Sequence, residues 1–139
     1  MSGRRSLRST SAGSPATGSG RYATPTASTA ALRRLRDLTG EAVDPLRFRA
    51  NLLIDVPGDG FPEEEWLGRD LRIGDRVVLR PRRRLTRCAM IDLAQEGVPE
   101  HGGLLRTVAE HHDMTFGVWA TVERAGRIEL LSDMVADPM

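Results

Sequence analysis

The sequence has 139 residues and a mass of 15.3 kDa, room for a single domain, with 40% hydrophobic and 28% charged residues. No apolar run reaches the roughly 18–20 residues of a membrane-spanning helix, and the single cysteine, Cys88, excludes an internal disulfide framework and any all-cysteine metal site. A net charge of +1 argues against a general nucleic-acid binder, and because all 20 basic residues are arginine, covalent catalysis through a lysine Schiff base is excluded.

Residues 1–24 carry Arg4, Arg5, Arg8 and Arg21 and no acid, and Ser, Thr, Gly, Ala and Pro fill 17 positions. Such a segment cannot repay its ordering entropy by burial, so a disordered tail is expected there. The remaining 115 residues, with 16 Arg against 19 acids, form the expected domain, 25–139. Ser28 precedes leucines at 32, 35 and 38, and Gly40 stands where a helix-ending glycine belongs, which predicts a helix of about three turns. Strands are expected over 48–56, 71–73, 76–80, 85–93 and 116–122, with a turn at Gly126 before 128–131. The Gly- and Pro-containing stretch 94–103 reads as a loop, and 104–112 as a second helix. This pattern is mainly β with two or three helices, an α+β barrel or sandwich with helical additions.

Several residues carry chemical promise. Cys88 offers a soft thiolate suited to a thiophilic metal, and Arg82, Arg83, Arg84 and Arg87 would lower its pKa if their heads converge; the alternative is a buried structural cysteine. Arg47, Arg49 and Asn51 alternate, so on a strand they share one face, either as an anion cradle or as a plain exposed face. Ser28 reads equally as a phosphate contact or as an ordinary N-cap. The run at 80–84 lacks interleaved aromatic residues, which disfavours nucleic-acid stacking. His111, His112 and Asp113 read as a helix end favoured by its dipole, and Glu63–Glu65 as the first turn of a short helix after Pro62. Trp66 reads as core.

Taken in order, Thr26-Ala-Ser28 before a helix, Arg47-Phe-Arg-Ala-Asn51, Leu71-Arg-Ile-Gly-Asp75, Arg87-Cys88, and Leu104-Leu-Arg-Thr-Val with Phe116-Gly-Val-Trp-Ala resemble a MOSC domain, the molybdenum cofactor sulfurase C-terminal module. The resemblance runs from about residue 22 to 135. It implies a MOSC-type β-barrel binding the molybdenum cofactor (molybdenum–pterin). Cys88 would be the catalytic residue and metal ligand, with Arg47, Arg49, Asn51, Ser28 and Arg87 on the cofactor. It also implies an oxidoreductase module for N-hydroxylated or similar small-molecule substrates, served by a separate electron-transfer partner. A non-catalytic sulfur carrier using Cys88, or a degenerate remnant, is the alternative.

The sequence departs from the family in three places. Strands that precede the first helix in the family are replaced by 1–24, so the barrel is expected to be incomplete on its N-terminal side, with a homo-oligomer formed through the open edge. Ser132 stands before Asp133 where the family shows a Gly-Asp pair, and only Asp92 matches a Thr-Thr-Asp-Pro segment. A free cysteine and the absence of export signals favour the cytoplasm, with neither nucleic acid nor membrane as partner.

Overall fold

The computed structural model describes residues 4–9, 23–129 and 133–136. In chain order the elements are β1 (Arg4–Ser9), β2 (Ala23–Ser28), α1 (Thr29–Thr39), β3 (Leu52–Asp55), β4 (Leu71–Ile73), β5 (Val77–Thr86), α2 (Leu104–His111), β6 (Thr115–Arg124) and β7 (Asp133–Ala136). Short 3-10 turns occupy Pro45–Phe48, Pro62–Trp66 and Ala89–Ile91. Six strands curl in the order β3-β2-β6-β5-β4-β7, and β1 pairs with both β3 and β7 to close the ring. All pairs are antiparallel except β2 with β3. This is the α+β barrel with helical additions that the sequence predicts.

Strand alternation divides the core in two. Leu52 and Ile54 of β3 face the barrel interior with Leu71, Ile73, Val77, Leu79, Ala120, Val122 and Met134. Leu53 points the other way, into an outer layer of Ala31, Leu35, Leu104, Val108, Phe48 and Phe116, where α1 and α2 pack. Helix α1 starts and ends as its sequence directs. Ser28 Oγ accepts from the Ala31 N–H at 3.1 Å, and Gly40 adopts φ +80° while its N–H donates to the Arg36 carbonyl at 2.8 Å. Helix α2 begins after Gly103, which has no side chain to cap it. Asp92 substitutes from the preceding loop, its Oδ1 2.7 Å from the Leu104 N–H and its Oδ2 3.2 Å from that of Leu105. Trp66 is core, as expected.

Four expectations are corrected. Within 1–24, Arg4–Ser9 is a strand rather than a disordered tail; residues 1–3 and 10–22 lie outside the described residues. That strand pairs with β3 and β7 on the N-terminal side, where the sequence predicts an incomplete barrel. The expected strand at 48–56 shrinks to Leu52–Asp55, because Asp44 accepts from the Leu46 N–H at 2.9 Å and starts a 3-10 turn at Pro45. The expected strands at 76–80 and 85–93 become one strand ending at Thr86, after which the chain turns at Ala89–Ile91. The last strand lies at Asp133–Ala136, beyond the expected 128–131; residues 130–132, and with them Ser132, lie outside the described residues. No helix among the described residues is long and apolar enough to cross a membrane.

Candidate functional site

The candidate residues gather where β5 ends and β6 begins. Thr86 pairs with Thr115, and the next two residues, Arg87 and Cys88, leave the sheet. The Arg87 N–H donates to the Met114 carbonyl at 2.8 Å, which fixes the exit. Cys88 then starts the Ala89–Ile91 turn with its side chain exposed, which removes the buried-cysteine alternative.

Arg87 is the most firmly placed polar group here. Its Nε donates to the Phe116 carbonyl at 2.9 Å and its Nη1 to the Phe48 carbonyl at 2.8 Å. The guanidinium carbon lies 5.4 Å from the Phe48 ring centroid and 5.9 Å from that of Phe116, both within cation–π range. Those two rings stack with centroids 4.0 Å apart. Burial pushes the Arg87 guanidinium down to about 10, and the neighbouring Cys88 opposes that shift. It therefore stays cationic at neutral pH beside the thiol. Its Nη2 faces Gly117, which holds φ +79°; a Cβ there would stand 3.4 Å from Nη2 and 2.8 Å from the Thr26 carbonyl. Only glycine fits this close approach of β6, β2 and Arg87.

The other predicted residues separate. Arg47, Arg49 and Asn51 do not share a strand face, because Arg47 lies in the 3-10 turn and Arg49 has a left-handed backbone at φ +51°. Arg47 is buried, and its guanidinium donates to the Ile91 carbonyl at 3.4 Å and to the Pro99 carbonyl. It holds down the loop that carries Cys88. Arg49 is exposed, with Nε 2.9 Å from Gln95 Oε1, and Gln95 Nε2 donates in turn to the Met90 carbonyl at 2.9 Å. Asn51 is exposed and its N–H donates to the Pro25 carbonyl at 2.9 Å, next to the Thr26 that backs Gly117. Thus Arg49, Asn51, Arg87 and Cys88 belong to one end of the barrel, while Ser28 is fully buried as the cap of α1. Asp92 serves α2 rather than the thiol.

The arginine run does not converge on Cys88. Arg80 pairs with Asp70 at 2.7 Å and Glu123 at 3.1 Å, Arg82 with Glu123 at 3.3 Å, and Arg84 with Glu64 at 2.6 Å. Arg83 lies over Trp119. A β-bulge between Pro81 and Arg83 turns this stretch outward, so the run is a paired outer face. His112 binds Glu64 and stacks on Phe61 with centroids 3.5 Å apart, a tertiary role that reading it as a helix end misses. Phe61 in turn meets Phe116 edge-on at 6.3 Å. Among the described residues, no group of three or more His, Cys, Asp or Glu side chains is placed to hold a metal ion.

The structure resembles that of YiiM from Geobacillus stearothermophilus, with a TM-score of 0.62 at 14% identity over 83% of this chain. The matched region is 54% of that protein, so the present chain spans about half its length. A comparison with curated proteins finds no match. The sequence profile of the MOSC domain matches residues 15–132. With most of its length matched to that profile, on a barrel of this type, the chain belongs to the MOSC domain family.

Proposed function

We propose that the chain is a molybdenum-cofactor-binding MOSC module and part of an oxidoreductase acting on N-hydroxylated or similar small molecules. The observation that carries this reading is an exposed thiol directly following a cation held rigidly by two carbonyls and two aromatic rings. A thiolate is a soft ligand matched to a thiophilic metal. The residues present therefore fit the group.

Cys88 would be the ligand from the protein, and Arg87, Arg49 and Asn51 would contact the anionic and polar parts of the cofactor. Arg47 acts through the Cys88 loop, and Ser28 through α1, because their polar groups are directed into the protein. When bound, the molybdenum centre would supply two-electron redox chemistry, with electrons delivered by a separate partner. The chain's own contribution is positioning. The Arg47 contacts hold the thiol's loop, and Gly117 lets β6 approach the Thr26 carbonyl of β2 behind the Arg87 guanidinium. Leu46, Met90, Leu93 and Met114, the exposed large hydrophobic residues among those described, lie on segments joined to this end. They favour a substrate with an apolar body.

A second reading is supported by the exposure of Cys88 alone. The thiolate would take the outer sulfur of a donor persulfide, the donor leaving as a thiol and Cys88 becoming the persulfide. Anaerobic expression in a cofactor-producing host separates the two. Retained molybdenum with reduction of an N-hydroxylated amidine supports the first. A folded chain free of molybdenum, whose mass rises by one sulfur under sulfur-donating conditions, supports the second and overturns the first.

A further inference from the structure

The three consecutive glutamates 63–65 share one turn but not one environment. Glu65 is exposed, Glu64 binds Arg84 and His112, and Glu63 points inward with no exposed surface. Neither Glu63 carboxyl oxygen has a hydrogen bond of good geometry, although the Ser28 hydroxyl lies near enough to favour its charged form. An ionised carboxylate left in this position would be costly, whereas a neutral acid loses far less on leaving water.

The charged groups on the elements around the turn are engaged elsewhere. Arg84 of β5 and His112 after α2 hold Glu64, Arg80 holds Asp70 and Glu123, and Asp55 of β3 accepts from Thr29. The nearest charged neighbour, Glu64, has the same sign and disfavours ionisation further. Ser28 is at once the last residue of β2 and the cap of α1. Two residues before it, the Thr26 carbonyl backs Gly117 behind the Arg87 guanidinium.

We propose that Glu63 is a positioning residue held as the neutral acid by its burial beside Ser28, and that in this form it keeps the start of α1 and the β2 strand behind Arg87 in place. Loss of its proton leaves a buried charge facing Ser28 and loosens this corner. Burial pushes the Glu63 carboxyl up to about 7, placing the change near neutrality. The functional consequence rests on the reading of Arg87 and Cys88 as the site; the proton itself does not.

The test uses the full chain labelled with 13C at glutamate side-chain carboxyls, titrated by NMR from pH 4 to 9. Glu63 is assigned by the signal lost in Glu63→Gln. Titration near 7, well apart from the other glutamates, is expected; titration among the others would overturn the proposal whatever the molybdenum content. Cys88 alkylation rates over the same range give the functional arm. The native protein should show a break near 7 beyond that of the thiol itself. Glu63→Gln, which mimics the neutral acid, should lose that break. A break that persists in Glu63→Gln overturns the positioning role. If the variant does not fold, a single smooth titration of Cys88 in the native chain overturns it equally.

Discussion

The barrel interior and the outer end of the same sheet are built on opposite principles. Inside, Leu52, Ile54, Leu71, Ile73, Val77, Leu79 and Val122 interdigitate with apolar neighbours. At the outer end, Phe48 and Phe116 pack against a half-buried arginine, Arg47 is buried against carbonyls, and the non-glycine residues Arg49, Asp113 and Met114 take left-handed backbone conformations. Such strain persists only where the surroundings enforce it, and it concentrates at functional sites. One region is packed for stability, and the other keeps cations and a thiol in place at some cost in stability.

Breaking the interior should give the largest effect. Leu79→Ala removes a fully buried side chain and should cost about 2–5 kcal/mol, read as a lower urea midpoint. Reactivity of Cys88 in the remaining folded fraction should stay native. A change in thiol reactivity as large as the change in stability would erase the distinction between the two regions.

The next effect comes from pH. The Glu63 carboxyl sits near 7 in the fold, above its ordinary value of 4.5, so the neutral acid is the form that the fold favours. Its contribution is complete below about pH 4.5 and is lost as pH rises through 7. Stability should therefore fall by about 3 kcal/mol across that window, because each pH unit between the unfolded and folded values is worth about 1.4 kcal/mol. Denaturant midpoints measured from pH 4.5 to 8 should show this decline in the native chain and not in Glu63→Gln.

Arg47→Ala should cost about 2 kcal/mol by leaving the Ile91 and Pro99 carbonyls without their partner. Its sharper signature is local: amide exchange over residues 89–99 should accelerate while that of β4 and β5 does not. Arg82→Ala, on the exposed paired face, should change stability by less than about 0.5 kcal/mol and leave Cys88 alkylation unaltered. A large effect there would mean that the outward arginines reach the site after all.

The sequence makes the interior legible because alternation and caps are local signals. Ser28, the leucines at 32 and 35, and Gly40 bound α1 without help from distant residues. The outer end is less legible because its contacts are long-range. The alternation of Arg47, Arg49 and Asn51 suggests a strand face, but Asp44 and Pro45 divert the chain into a turn. The apolar run 85–93 suggests a strand, yet Ile91 is buried from a 3-10 turn. Asp92 caps a helix twelve residues ahead, which no local pattern reveals. Three glutamates in a row read as the first turn of a short helix, and only the tertiary structure shows that Glu63 is turned inward. Cys88 and Arg87 are legible as a pair through their family resemblance, whereas the carbonyls and rings that fix Arg87 are not.

The most direct measurement is the molybdenum-to-protein ratio of the chain expressed anaerobically in a cofactor-producing host, beside its Cys88→Ser variant. A ratio near one in the native protein, lost in a variant that keeps the native circular dichroism and melting temperature, is the predicted result. Equal molybdenum in both, or none in a folded native chain, would contradict cofactor binding through Cys88.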